Sequence, residues 1–182
     1  MIRRMPTRIP PAKPSALPGR NVSMAKNIKI EIATVDDSPP VAVMVGELLG
    51  EIMDATGSHA FNFDLDATTA RLRGFIEQGR YHVLLARDAG GSETGFVALY
   101  ACQALYAEGC FGTMPELYVR PAYRSQGVGR LLLAGAKAHG VEQGWTRIEV
   151  TTPPLPQFER TLAFYEREGF AVSGGRKLRV LL

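Results

Sequence analysis

The sequence lacks any long apolar run. No stretch approaches the roughly 18 consecutive apolar residues that are needed to cross a bilayer, so a membrane-spanning protein is not expected. Cysteine is scarce as well, since the 182 residues include two, Cys102 and Cys110. Two cysteines cannot build a disulfide framework, and their spacing does not match a zinc site. Both are therefore expected to be reduced thiols of a cytoplasmic protein, and no metal is expected.

Two common phosphate-binding fingerprints are missing too. The sequence contains neither the Gly-x-x-x-x-Gly-Lys-Ser/Thr loop of nucleoside triphosphatases nor the Gly-x-Gly-x-x-Gly turn of dinucleotide-binding folds. It also shows no persuasive Ser/His/Asp or Cys/His arrangement of the kind that activates a covalent nucleophile. Any phosphate ligand is therefore expected at a different turn, and no nucleophilic Ser or Cys is expected in the reaction.

Acidic residues are absent from the first 26 positions, which hold six of the 21 Lys and Arg residues and five of the 12 prolines. This segment has no hydrophobic periodicity, so residues 1–26 are expected to form a disordered, basic, proline-rich leader. The remaining 156 residues carry 15 basic and 18 acidic side chains, a net charge of −3, with no dense basic patch. Nucleic acid is therefore not an expected partner, and binding through the leader is the third-ranked alternative.

Residues 27–182 show a continuous alternation of strand and helix patterns that predicts a single domain. Residues 28–32 alternate apolar and polar side chains, the period of a half-buried strand, and apolar side chains recur at helical spacing over 41–52. The predicted strands are 28–32, 81–87, 94–105, 112–119, 145–151, 170–172 and 177–182. The predicted helices are one that follows residues 36–37 and breaks at 56–58, and three at 65–78, 127–143 and 157–168. The order β-α-α-β-β-β-α-β-α-β-β indicates a mixed α/β (α+β) fold.

A strand, a tight turn and a helix meet in residues 116–133, which read Glu-Leu-Tyr-Val-Arg-Pro-Ala-Tyr-Arg-Ser-Gln-Gly-Val-Gly-Arg-Leu-Leu-Leu. The first N–H groups of a helix have no internal acceptor, and the helix dipole makes that end partly positive, so such a turn binds phosphate. Gly127 and Gly129 let an anion approach the backbone, and Arg124 and Arg130 add positive charge. The alternative is a glycine-containing helix start that serves packing alone.

A second motif lies downstream of this turn. Residues 162–170 read Leu-Ala-Phe-Tyr-Glu-Arg-Glu-Gly-Phe, a helix with an aromatic–Tyr pair that ends at Gly-Phe and enters a strand. Phe158, Leu162 and Tyr165 are spaced to share one helix face. A purely structural role in the core is therefore the alternative for Tyr165.

Together the two motifs resemble motifs A and B of the Gcn5-related N-acetyltransferase (GNAT) superfamily, and the resemblance covers residues 28–182. It implies a mostly antiparallel central sheet flanked by helices, in which the fourth and fifth strands splay apart and pantetheine adds to the fourth. It also implies acetyl-CoA as the co-substrate, with its pyrophosphate at the turn. The residues implied to bind it are Leu117, Val119, Arg124, Ser125, Gln126, Gly127, Val128, Gly129, Arg130 and Phe164.

The resemblance further implies the reaction, in which a primary amine attacks the thioester directly in a ternary complex. Tyr165 is implied as the acid that protonates the departing thiolate, since an unperturbed phenol titrates near ~10, above a thiol. Glu116 is the predicted base for the ammonium, directly or through water; attraction of a cationic acceptor or a solvated strand end are the alternatives. A non-catalytic acyl-CoA-binding regulatory module is the alternative function, which the presence of both residues disfavours.

One stretch departs from the family pattern. Many members have an Asn after the fifth strand that helps to hold pantetheine or CoA, whereas residues 153–158 here read Pro-Pro-Leu-Pro-Gln-Phe. The polar contact therefore passes to Thr152 or Gln157, or it is missing.

The acceptor is predicted to be a small-molecule or peptide amine, bound by the loop between the first two helices and by the hairpin of the third and fourth strands. His82 and His139 are expected to be structural, and Tyr123 is expected either to pack over the turn or to face solvent. A homodimer through the C-terminal hairpin is compatible with the sequence. The side chains predicted to line the acceptor pocket are Ser58, His59, Phe61, Phe63, Tyr106 and Glu108.

Overall fold

The structure is a computed structural model that describes residues 27–107, 109–173, 177–178 and 180. The predicted leader, residues 1–26, and Glu108 lie outside the described residues, so the leader and the domain boundary that follows it stay predictions. Within the described part of the chain, no helix combines the length and the apolar character that a membrane span requires.

Six strands and four α-helices make up the described part of the fold. The strands are β1 (Lys29–Ile32), β2 (His82–Arg87), β3 (Glu93–Ala104), β4 (Gly109–Met114), β5 (Leu117–Val119) and β6 (Ile148–Val150). The helices are α1 (Ser38–Thr56), α2 (Leu65–Glu77), α3 (Val128–Glu142) and α4 (Glu159–Arg167). Short 3-10 turns at Val35–Asp37, Leu105–Ala107 and Pro121–Tyr123 precede α1, β4 and α3.

The ends of the first two helices follow from local chemistry. Helix α1 has proline in its first turn, where a missing N–H costs no helical hydrogen bond, and it ends at Gly57 with a left-handed φ of 63°. Helix α2 begins after Asp64, whose side chain accepts a hydrogen bond from the N–H of Ala67 at 2.7 Å. These caps confine the loop between the two helices to residues 57–64.

The sheet is mixed and mostly antiparallel. Its strand order is β1-β2-β3-β4-β6, with β5 paired to β3 beside this path. Strands β4 and β6 run parallel, with Gly112 opposite Ile148 and Met114 opposite Val150. An open sheet of this kind with helices on its faces confirms the predicted fold class.

The strand predicted over residues 112–119 is wrong as a single element, because the chain breaks it into β4 and β5. Tyr100 of β3 pairs with Thr113, and Val97 of β3 pairs with Leu117. Two residues of β3 therefore face three residues of the other chain segment, which is a β-bulge. Pro115 lies in this bulge and has no N–H for the sheet, which gives the break a physical reason.

Two apolar cores cover the two faces of the sheet. On one face α3 and α4 pack against β2 and β3, with Leu84, Val97, Leu132 and Tyr165 buried there. On the other face α1 and α2 pack, with Met44, Leu72, Val83 and Phe96 buried. These buried side chains hold α3 and α4 on one face of the sheet and α1 and α2 on the other.

The predicted C-terminal hairpin is not formed by the described residues. Residues 170–173, 177, 178 and 180 are not part of a strand. Apolar side chains of the two predicted strands are exposed: Val172 at 79%, Leu178 at 90% and Val180 at 79%. Since these side chains join no core among the described residues, burial does not stabilise a strand there. The other residues of the predicted hairpin lie outside the described part.

Candidate active site

A gap opens in the sheet where β5 leaves the path of β4. Strand β6 pairs with β4 as far as Met114 and Val150. Beyond the bulge, β5 continues along β3. Among the described residues, β5 pairs with β3 and with no other strand. The edge of β5 that faces away from β3 is therefore open, and it lies next to the end of β6. This is the splayed arrangement of two strands that the family resemblance implies.

The backbone of β5 presents polar groups to this gap. Ala98 donates its N–H to the carbonyl of Glu116, and Arg120 donates its N–H to the carbonyl of Thr94, both at 2.9 Å. Because hydrogen-bonding direction alternates along a strand, the backbone groups of Leu117 and Val119 point away from β3. Leu117 and Val119, which the resemblance implies as ligand-binding residues, therefore present backbone groups to the gap, and Arg124 Nε donates a hydrogen bond to the Val119 carbonyl at 2.8 Å.

The turn after β5 leads into α3 through two residues with positive φ. Ser125 has a φ of 60°, and Gly127, the residue before the first turn of α3, has a φ of 90°. No side chain caps this helix, and the first intrahelical bond is donated by Leu131 to the Gly127 carbonyl at 3.1 Å. The N–H groups of Val128, Gly129 and Arg130 therefore have no acceptor within the helix.

The side chains of the turn are committed to the protein. Arg124 Nη2 contacts both carboxylate oxygens of Glu51 at 2.8 Å, and Tyr118 donates its hydroxyl to Glu51 at 2.9 Å. Gln126 Nε2 donates to the Ala122 carbonyl at 2.7 Å. The Arg124 charge is paired with α1, so the electrostatics of the turn toward an anion come mainly from its backbone N–H groups and the helix end.

Gly129 and the aromatic pair of α4 meet at the same place. A Cβ on Gly129 would lie 3.1 Å from the Phe164 ring, tighter than an ordinary contact, so the absence of a side chain lets that ring cover the start of α3. Arg130 Nε lies 3.4 Å from a carboxylate oxygen of Glu168 at the end of α4. The predicted residues of the turn and Phe164 are thus brought together.

Tyr165 lies beneath the turn, with 5% of its surface exposed, in the core that includes Val128. Its ring contacts those of Phe164 and Phe170 with centroids 5.5 and 5.4 Å apart. Burial raises the pKa of Tyr165 to about 12. The phenol therefore keeps its proton at neutral pH, and it is a weaker acid than an exposed tyrosine.

Glu116 occupies the bulge between β4 and β5 on the α1/α2 face of the sheet. Its carboxylate accepts a hydrogen bond from the hydroxyl of Tyr81. Burial raises the pKa of Glu116, and the hydrogen bond from Tyr81 partly opposes that rise. A half-buried carboxylate whose pKa is raised toward neutrality is matched to accepting a proton.

Sequence reasoning missed Tyr81 and Tyr100 as parts of this site. The two rings are stacked, with centroids 6.0 Å apart and planes 11° from parallel. Tyr81 precedes β2 and Tyr100 lies in β3. Tyr81 and Glu116 are 35 positions apart in the chain. The available signal was weak, because an aromatic residue at the start of a strand ordinarily indicates packing.

The loop residues predicted for the acceptor pocket are dispersed. Ser58 and His59 are exposed. The Phe63 ring packs on Gly46 of α1, where an added Cβ would meet it at 2.6 Å. Tyr106 is 81% exposed, and the Arg147 guanidinium lies 5.9 Å from its ring centroid. Phe61 is 41% exposed, and Glu108 lies outside the described residues.

Two further predicted positions acquire specific partners. Tyr123 donates its hydroxyl to Asp88 in the β2–β3 turn at 2.7 Å, so its hydroxyl is bound rather than left to solvent. The rings of His82 and His139 lie 4.6 Å apart, and His139 is buried against Trp145. Both histidines lie on the α3 side of the sheet, away from the Glu116 carboxylate.

The donor side of this arrangement fits a ligand with an extended amide-containing arm and a pyrophosphate. The gap beside β5 offers strand-like hydrogen bonds to the arm. Apart from its chain neighbours and its own helix, no atom of the described residues lies within 4 Å of the point where a Cβ on Gly127 would stand, so an anion can reach the backbone there. The uncapped start of α3 supplies the N–H groups that a phosphate requires.

Comparison with protein families gives a specific match. A family model described as an acetyltransferase (GNAT) domain matches residues 79–172, just over half of the chain. The matched range contains Glu116, the turn before α3 and Tyr165. No curated protein matches the sequence significantly.

Solved structures share the fold at low sequence identity. A GCN5-related N-acetyltransferase from Ralstonia eutropha JMP134 matches with a TM-score of 0.70 and 19% identity, over 85% of this chain and 99% of that one. An aminoglycoside acetyltransferase from an uncultured soil metagenomic sample, in complex with sisomicin, matches with a TM-score of 0.68 and 17% identity, over 85% and 96%. A ribosomal-protein-alanine N-acetyltransferase from Brucella melitensis biovar Abortus 2308 matches with a TM-score of 0.63 and 18% identity, over 85% and 99%.

Proposed function

This chain belongs to the acetyltransferase (GNAT) domain family, and from that membership we propose that it moves an acetyl group from acetyl-CoA to a primary amine. The observation that carries the proposal is the bulge, which places an open strand edge, an uncapped helix start and a buried carboxylate within one stretch of chain. The first two suit the donor, and the third suits the acceptor.

The donor is held mainly by backbone in this proposal. Leu117 and Val119 bind the pantetheine amides along the open edge of β5, and the N–H groups from Ser125 to Arg130 bind the pyrophosphate at the start of α3. Phe164 covers Gly129 and closes one side of the turn. When bound, acetyl-CoA supplies an activated thioester carbonyl, and an N–H of β5 is placed to stabilise negative charge on its oxygen.

Glu116 prepares the acceptor. An aliphatic amine is mostly an ammonium ion at neutral pH and must lose a proton before its nitrogen can attack. Glu116 accepts that proton, directly or through water, because burial makes its carboxylate a stronger base than an exposed one. The carboxylate lies at the end of the gap where the acyl group of an extended donor would end.

Tyr165 completes the proton balance. Its phenol holds a proton at neutral pH and donates it to the sulfur as the carbon–sulfur bond breaks. The raised pKa limits how early this transfer takes place, so we assign Tyr165 to a late step in which most of the charge already lies on sulfur. Each turnover then converts one ammonium and one thioester into an amide, a thiol and one released proton.

The acceptor class is a small-molecule or peptide amine. The structural relatives include proteins named for aminoglycosides and for a ribosomal-protein alanine, and the shared fold accommodates both kinds of amine. The alternative, a regulatory module that binds acyl-CoA without reacting, is favoured by no feature of the acceptor side. A buried carboxylate next to the gap has no evident purpose in such a module.

The proposal is tested by following thiol release from acetyl-CoA across a library of primary amines. We expect release with at least one amine, and a kcat about tenfold lower in Tyr165→Phe, at the low end of general acid catalysis because a thiol leaves readily. The acetyl-CoA affinity of this variant should remain within about twofold of the wild type when measured by calorimetry. A chain that binds acetyl-CoA but acetylates no amine would favour the regulatory module, and failure to bind acetyl-CoA would exclude both functions.

A further inference from the structure

The hydroxyl of Tyr81 is the hydrogen-bond donor to the Glu116 carboxylate among the described residues. The bond goes to Oε2 of Glu116, and it joins the segment before β2 to the bulge between β4 and β5. Because Oε2 is occupied by a neutral donor, the carboxylate is fixed in orientation while Oε1 remains for a second partner. Oε2 therefore holds the carboxylate in place through Tyr81, while Oε1 can accept a proton.

Two aromatic rings hold Tyr81 in this position. The Tyr100 ring stacks on one side with a centroid distance of 6.0 Å. The Phe75 ring of α2 also contacts Tyr81, with a centroid distance of 5.6 Å and an interplanar angle of 44°. A phenol ring that packs against two other rings has restricted motion, so its hydroxyl can position a partner.

The charged groups on the elements that pack against β4 and β5 are paired with each other. From α1, Glu47 pairs with Arg120 at 3.1 Å and Glu51 pairs with Arg124 at 2.8 Å. From β6, Glu149 pairs with Arg147 at 2.7 Å. Tyr118 on β5 is bound to Glu51, and β3 contributes Tyr100. The hydrogen bond from Tyr81 is therefore the specific interaction that stabilises the ionised form of Glu116.

We propose that Tyr81 is a positioning residue of the acetyl transfer, whose hydroxyl keeps the Glu116 carboxylate ionised and oriented so that Oε1 can take the proton of the acceptor ammonium. The inference rests on the proposed function. In the step concerned, one N–H bond of the ammonium breaks, its electron pair stays on nitrogen, and the proton forms an O–H bond with Glu116. Tyr81 keeps its own proton throughout, because burial and the adjacent carboxylate raise its pKa.

The variant Tyr81→Phe tests the proposal through the pH profile of kcat/KM. Loss of the hydrogen bond removes the interaction that lowers the pKa of Glu116, so the acidic limb should move upward by about one pH unit, while the alkaline plateau stays within about threefold of the wild type. The matched control is Tyr123→Phe, which loses a tyrosine–carboxylate hydrogen bond to Asp88 in the β2–β3 turn, away from Glu116, and should leave the limb in place. An unmoved limb in Tyr81→Phe overturns the proposal.

A measurement on the unaltered protein covers the case in which Tyr81→Phe does not fold. In a sample with 13C-labelled Glu and Tyr, the Glu116 Cδ and Tyr81 Cζ resonances should shift with a common midpoint, since protonation of one group changes the hydrogen bond of the other. Independent midpoints overturn the inference. If the wild type acetylates no amine, the proposed function fails and the inference with it. An active wild type with an unmoved limb or with separate midpoints refutes the role of Tyr81 alone.

Discussion

The donor side and the acceptor side of the proposed active site are built in different ways. The donor side is made of consecutive residues, from the open edge of β5 at Leu117 to the first turn of α3 at Arg130, and its polar groups are mostly backbone N–H groups. The acceptor side is made of side chains from three separate segments, namely Tyr81, Tyr100 and Glu116. The same bulge joins them, since Glu116 and Leu117 are neighbours in the chain.

The donor side uses backbone groups that many sequences could supply, whereas the acceptor side uses particular side chains. A pyrophosphate is recognised by any uncapped helix start with glycine in the approach, so the donor side depends on backbone shape. The acceptor side depends on the pKa of one carboxylate, which side chains from distant parts of the chain adjust. Changes on the two sides should therefore affect different measurements, affinity for acetyl-CoA on one and rate and pH profile on the other.

The largest expected effect is on the acceptor side, in Glu116→Gln. An amide keeps the shape of the carboxylate but cannot accept the ammonium proton, so kcat/KM for the amine should fall at least about 100-fold and the acidic limb of the pH profile should disappear. Acetyl-CoA affinity, measured by calorimetry, should stay within about twofold.

Glu149→Gln is the matched control for this prediction. Glu149 lies on β6 with 46% of its side chain exposed, and it pairs with Arg147 in solvent, so its replacement should change kcat/KM by less than about twofold. Equal losses of kcat/KM in the two variants would mean that activity depends on the total negative charge of this face and not on a base at the bulge. The acceptor side would then not depend on one particular carboxylate.

How much of each side is predictable from sequence follows from the same comparison. The strand, turn and helix start over residues 116–133 were predicted because a strand, two glycines and a helix start are local patterns, and β5 and α3 form there. Tyr81 was not predicted as part of the site, because its contact with Glu116 joins segments next to two strands that both pair with β3 and depends on the register of β2 on β3. The break between β4 and β5 was not predicted for a similar reason. Pro115 indicates an interruption of a strand, but the bulge is defined only by the pairing of both segments with β3.

A smaller effect is expected on the donor side, in Gly127→Ala. The φ of 90° is unfavourable for alanine by about 1–2 kcal/mol, and the new Cβ would stand where no protein atom lies within 4 Å, in the approach to the helix start. We expect the Kd for acetyl-CoA to rise about tenfold, with kcat at saturating acetyl-CoA nearly unchanged.

Gly144→Ala separates strain from the loss of ligand contact. Gly144 follows the opposite end of α3, has a φ of 67° and also has free space around its missing Cβ. It should lower the melting temperature by a similar amount without changing the Kd for acetyl-CoA. A Kd that rises equally in both variants would show that helix α3 binds the donor through its overall stability, and not through open backbone at its first turn.

The smallest expected effect concerns the histidine pair that connects the two sides. His82 follows Tyr81 in the chain, and His139 lies in the last turn of α3, where its buried Nε2 has no hydrogen-bond partner among the described residues. Burial, and secondarily the nearby His139, lower the pKa of His82. The unfolded chain therefore takes up this proton at a higher pH than the folded chain, so His82 leaves stability unaffected above about pH 6.5 and lowers it as the pH falls below that value.

The change His82→Thr should remove this part of the pH dependence. Because position 82 then has no imidazole to take up a proton, the fall in Tm between pH 7 and pH 5 should be smaller in the variant than in the wild type. His139→Leu removes the charge interaction but leaves the burial of His82, so its fall in Tm should lie between the two. Because both histidines lie on the α3 face, the acidic limb of kcat/KM should remain at the wild-type pH in both variants. If the acidic limb of kcat/KM shifts in either histidine variant, residues on the α3 face affect the pKa of Glu116. The donor side and the acceptor side would then titrate together.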